Sequence, residues 1–138
     1  MGMHPTESQD VTRKIIQHTI LVVDDDPRLL EAHKRWLARC FPGSYVVARD
    51  TASSAIAVLA CIKVDLVVSD FELADPSENG GNILLWIRRQ QPALAARFVF
   101  LTGAEELAGA MHAQVLVKGA PTSESRAYLT SILHAPMV

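Results

Sequence analysis

The chain has 138 residues, of which 49% are hydrophobic and 20% charged, and a formal net charge of -2. That length fits one domain with one core, which excludes a two-domain enzyme with a separate substrate lobe, and that composition excludes a wholly disordered chain. The charge balance supplies no overall basic field for nucleic acid or an anionic membrane, so neither is expected as a direct partner.

Residues 1–14 are polar and without periodicity and read as a flexible tail, leaving 15–138 for the folded domain. Five short apolar runs follow, at Ile20 to Val23, Tyr45 to Ala48, Leu66 to Val68, Phe98 to Leu101 and Val115 to Val117. They are continuous rather than alternating, as strands covered on both faces are.

Between the runs lie helical patterns. Asp26 before Pro27 is a capping acid ahead of a first-turn proline, and Leu29, Leu30, His33, Trp36, Leu37 and Cys40 share one face of the helix that follows. His33 is therefore expected at the edge of the core, and Trp36 inside it. A second helix is expected from about Ser53 to Cys61 and a third from about Asn82 to Gln90, stopped by Pro92. On the third, Ile83, Leu84 and Ile87 form the inward stripe, Trp86 sits at its edge and Leu85 points away. There is room for a short fourth helix near Glu105 to His112, and a last one spans about Ser123 to His134.

Cys40 and Cys61 have no CxxC or Cys/His neighbourhood, so neither zinc nor a disulfide framework is expected, and a reducing, cytoplasmic setting is the natural reading. The longest apolar run, Ala55 to Ile62, is far short of the roughly 18–20 residues of a membrane span.

Five βα alternations imply an α/β fold, a doubly wound parallel sheet with helices on both faces, whose chemistry lies outside the carboxyl ends of the strands. The residues at those ends are Asp24, Asp25 and Asp26, then Asp70, Thr102 and Lys118. Carboxylates crowded into one crevice repel by several kcal/mol at an effective dielectric near ~20, so a cation must share the site. Lys118 supplies one charge, and the all-oxygen remainder suits Mg²⁺. A carboxylate beside a hard divalent ion, a lysine and a hydroxyl is equipped to accept a phosphoryl group.

The segments Ile20-Leu21-Val22-Val23-Asp24-Asp25-Asp26-Pro27, Asp65-Leu66-Val67-Val68-Ser69-Asp70, Phe100-Leu101-Thr102-Gly103 and Val115-Leu116-Val117-Lys118 together resemble the receiver domain of two-component response regulators, over about residues 17–135. The resemblance implies a flavodoxin-like sheet of strand order 2-1-3-4-5. It further implies Asp70 as phosphoacceptor, Asp24 and Asp25 as the acidic pair for Mg²⁺ with Asp70 and the backbone carbonyl of Glu72, Thr102 as the hydroxyl for the phosphoryl group, and Lys118 as its ion-pair partner. The implied partner is a sensor histidine kinase or phosphotransfer protein, and the implied role is a regulatory domain, able to dephosphorylate itself, rather than an enzyme.

The pattern departs from the family in four places. The loop Asp75 to Gly81 is two residues longer, Gly119 rather than proline follows the lysine, Val115 stands where a switch aromatic is usual, and the segment between Thr102 and Lys118 is short. The missing aromatic and the altered lysine turn leave open a degenerate receiver that binds partners without phosphorylation, and Asp24-Asp25-Asp26 after an apolar strand also fits the DxD start of a haloacid-dehalogenase-like phosphatase in which Asp24 is the nucleophile and Asp26 the acid.

Overall fold

A computed structural model describes residues 18–75, 77–103, 111–118 and 122–134. Strands alternate with helices that lie two on each face of one sheet. The order along the chain is β1 (Thr19–Val23), α1 (Pro27–Cys40), β2 (Tyr45–Arg49), α2 (Ala52–Cys61), β3 (Leu66–Ser69), α3 (Gly80–Gln90), a 3₁₀ turn (Pro92–Arg97), β4 (Phe98–Thr102), β5 (Gln114–Val117) and α4 (Thr122–Leu133). All pairings are parallel and the spatial order is β2-β1-β3-β4-β5, the order expected.

Alternate strand residues feed two cores. Leu21, Val23, Val67, Phe98 and Phe100 pack with α2 and α3 through Ala55, Leu59, Ile83 and Ile87. Ile20, Val22, Val68, Val99 and Leu101 pack with α1 and α4 through Leu37, Cys40, Leu129 and Leu133. The period of two along each strand places these sets on opposite faces, which is why the runs are apolar throughout.

Side chains satisfy the orphan amides that open the helices. Asp26 Oδ1 accepts from the amides of Arg28 and Leu29, and Thr51 caps α2 by accepting from the Ser54 amide. Asn79 opens α3, its Oδ1 accepting from the Gly81 amide while its own amide donates to Asn82 Oδ1. The third helix thus begins at Gly80, two residues before the expected Asn82, because the cap lies at Asn79 and two glycines fill the first turn.

Smaller differences have local causes. Leu29, in the first turn of α1 and expected on its inward face, is 37% exposed, and Trp36 is only partly buried. Pro92 stops α3 as expected, yet it also opens a 3₁₀ turn that the sequence reading did not anticipate. Met111 and His112, the end of the expected fourth helix, form a turn in which His112 has φ 56°. The rest of that helix and the tail at 1–14 lie outside the described residues. No described helix is long and apolar enough to cross a membrane.

Candidate functional site: an acidic crevice at the strand ends

The crevice sits where the strand order reverses, between the carboxyl ends of β1 and β3 with β4 and β5 alongside. Asp24 continues β1, its amide donating to the Arg49 carbonyl, and Asp70 continues β3, its amide donating to the Val23 carbonyl. Backbone pairing therefore delivers both carboxyl groups to the same depth. Asp24 and Asp70 are buried, whereas Asp25, one residue further out, is exposed.

Lys118 joins them. Its Nζ donates to Asp70 Oδ2 at 2.7 Å and to Asp24 Oδ2 at 3.2 Å. The amide of Lys118 donates to the Thr102 carbonyl, which continues the β4–β5 pairing by one residue and aims the side chain at the crevice. Burial alone would lower the lysine pKa, but hydrogen bonds and charge from Asp70 and Asp24 outweigh it and raise the value, so the ammonium persists. Gly119, where the family has proline, does not keep Lys118 from this position.

The other candidates take distinct places. Thr102 is buried at the end of β4. Glu72 is exposed, and its amide donates to Asp70 Oδ1 at 3.3 Å. Asp24 Oδ1 accepts from the Asp26 amide, while the Asp26 carboxylate is occupied as the cap of α1. The structure thus brings Asp24, Asp25, Asp70 and Lys118 together, with Glu72 exposed beside Asp70 and Thr102 buried at the end of β4.

One neighbour was read differently from the sequence. His33, expected at the core edge, lies over the crevice with Nδ1 3.8 Å from Asp24 Oδ2. Burial pushes its pKa down, the Asp24 charge opposes this and the Lys118 charge reinforces it, which leaves the imidazole neutral near neutral pH. A lone polar residue within the apolar stripe of α1, a helix that starts at the acidic strand end, was the available signal.

Ligand atoms of Asp24, Asp25 and Asp70 lie within 4.8 Å of one another. Three carboxylate oxygens are a hard donor set, and the exposure of Asp25 leaves room for the waters that Mg²⁺ retains.

Comparison with known proteins agrees with this geometry. The family model for the response regulator receiver domain matches residues 20–121, and the chain belongs to that family. No curated protein matches the chain. Among solved structures it is similar to the non-phosphorylated HemR receiver domain of Leptospira biflexa, at 28% identity and TM-score 0.72 over 87% of this chain and 97% of that one. It is also similar to a response regulator receiver protein of Sinorhizobium medicae, at 25% identity and TM-score 0.72 over 86% and 95% of the two chains. The response regulator TrrA of Thermotoga maritima, solved with Mg²⁺ and BeF, shares the fold at 23% identity and TM-score 0.71 over 84% and 99%.

Proposed function

We propose that this domain is phosphorylated on Asp70 by a histidine kinase or phosphotransfer partner, in a reaction that requires Mg²⁺. The observation that carries the reading is the position of Lys118 Nζ, which binds one oxygen of Asp70 and one of Asp24 at the switch point of the sheet. Of the two grounds for reading a phosphorylation-independent module, the altered lysine turn carries less weight because the ammonium still meets both carboxylates, while Val115 in place of an aromatic stands unchanged. Membership of the receiver family sets aside the phosphatase alternative.

A carboxylate oxygen of Asp70 attacks the phosphorus of the donor phosphohistidine. The P–O bond of an acyl phosphate forms as the P–N bond breaks, and the bonding pair leaves on the imidazole nitrogen, which then takes a proton. Asp70 is suited to the role because its two oxygens are already oriented by Lys118 and the Glu72 amide, so little reorganisation accompanies attack. Lys118, freed from the neutralised acid, offers its ammonium to the phosphoryl oxygens, with the Thr102 hydroxyl as a further donor. Asp24, Asp25, Asp70 and the Glu72 carbonyl would hold the metal, which when bound neutralises the dianion that three carboxylates would otherwise repel. TrrA, a protein of the same fold solved with Mg²⁺ and BeF, provides the parallel.

Intact mass after incubation with acetyl phosphate and Mg²⁺ tests this. One phosphate is expected on the wild type and none on Asp70→Asn. Equal labelling of the two, or an unchanged labelling rate in EDTA, would overturn the assignment.

A further inference from the structure

At the C-terminal end of α1, away from its capping turn, Trp36, Arg39 and Cys40 meet Ser123 and Arg126 of α4 around a groove of about 380 Å³. That is within the size of small-molecule sites, roughly 300–1,000 Å³. Its chemistry is cationic and aromatic. Among the described residues neither Arg39 nor Arg126 has an ion-pair or side-chain hydrogen-bond partner, although Arg35, one turn earlier on α1, pairs with Glu31. Glu124 lies one residue beyond Ser123 but does not line the groove. Burial pushes the Cys40 thiol up, and the charges of Arg126 and then Arg39 oppose it, so both guanidinium fields converge on one buried point. A planar guanidinium fork matches the oxygens of a phosphate, and an indole face stacks on a planar ring.

We propose that the α1–α4 groove binds a phosphorylated small molecule of the nucleotide class, its phosphate oxygens held by Arg39 and Arg126 and its ring against the Trp36 indole. Two unpaired cations around one groove suit a ligand with more than one negative charge, and the Ser123 hydroxyl adds a donor or acceptor at its rim. The site shares no lining residue with the acidic crevice, so it is independent of the phosphoacceptor reading.

ADP in EDTA is the probe, since chelation prevents a metal-bridged complex at the carboxylates. The chain has two tryptophans, so in Trp86→Phe the fluorescence reports Trp36 alone, and calorimetry on the wild-type chain gives the same comparison. Saturable quenching by ADP is expected. Arg39→Gln and Arg126→Gln, both at exposed positions, should each weaken it about tenfold or more, and inorganic pyrophosphate should bind about tenfold more weakly than ADP for want of a ring. Absence of saturation at millimolar ADP, unchanged affinity in both arginine variants, or equal affinity for pyrophosphate would overturn the proposal. So would loss of binding in Asp70→Asn, which would place the nucleotide in the crevice.

Discussion

Lys118 contributes one positive charge against the carboxylates of Asp24, Asp25 and Asp70, so without a metal the crevice carries an excess of negative charge. Removing Asp25 should then relieve repulsion in metal-free protein and at the same time remove a ligand. We expect Asp25→Asn to melt a few degrees above wild type in EDTA, at roughly 2–5 °C for about 1 kcal/mol, and to lose most of the stabilisation that millimolar Mg²⁺ gives the wild type. Thermal melts with EDTA and with Mg²⁺ read both effects, and a lower melting temperature in EDTA would contradict the electrostatic argument. The strand-end acids and the lysine were legible in the sequence because β-strand order forces those positions together whatever the loops do. His33 was not, since helical periodicity reports only which face a residue takes. It does not tell how far along the sheet that face meets polar ground, and here the second turn of α1 meets Asp24 rather than the core.

At the scale of elements, α3 shows how the acceptor loop is closed. The Gly80 amide donates to the Phe71 carbonyl at 2.7 Å, so the nine residues from Phe71 to Asn79 leave the sheet and return to its end. A Cβ at Gly80 would collide with the Asp70 carbonyl oxygen and lie 3.0 Å from Phe100 Cε1. Replacing glycine by alanine inside a helix ordinarily stabilises by roughly 1 kcal/mol. Here Gly80→Ala should instead destabilise by about 1–2 kcal/mol, since overpacking against backbone costs more than propensity returns. Urea unfolding gives the sign, and acetyl phosphate labelling should slow in the same variant because Asp70 is displaced. Gly81→Ala should be milder, its nearest neighbour being the thioether of Met111, a side chain that can move. The start of α3 was read two residues late because glycines carry no periodic signal, and the cap at Asn79 is a local hydrogen-bond choice visible only with the backbone in place. The cap at Asp26, by contrast, precedes a clear helical pattern. The Asp26 cap should be worth about 1 kcal/mol in Asp26→Ala by the same measurement, with labelling retained.

For the molecule as a whole, the question is where a change at Asp70 would travel. Two packed cores flank the sheet, and the routes out of the crevice are β5 with α4 on one side and the 71–79 loop with α3 on the other. On β5, Val115 pairs with Phe100 across the sheet and packs against the α2–α3 core. A valine is small and stiff at χ1, so it has little surface to exchange between two states. On the loop side, Phe71 follows the acceptor directly and its ring meets that of Phe100 edge to face at 5.3 Å, while Phe100 meets Phe98 at 4.8 Å. Phe100 and Thr102 lie two apart on β4 and so share a face of the sheet. A modification shifts an equilibrium only by its differential interaction with the two states, and the larger aromatic surface lies along the loop route. We therefore expect beryllofluoride with Mg²⁺ to change amide exchange most at residues 71–82 and only modestly at 111–118 and 122–128. Phe71→Leu should reduce the loop response while leaving acetyl phosphate labelling within about twofold of wild type, because it removes an aromatic contact without touching a donor to Asp70. Large changes confined to β5 and α4, with a silent loop, would show that Val115 transmits the signal despite its size.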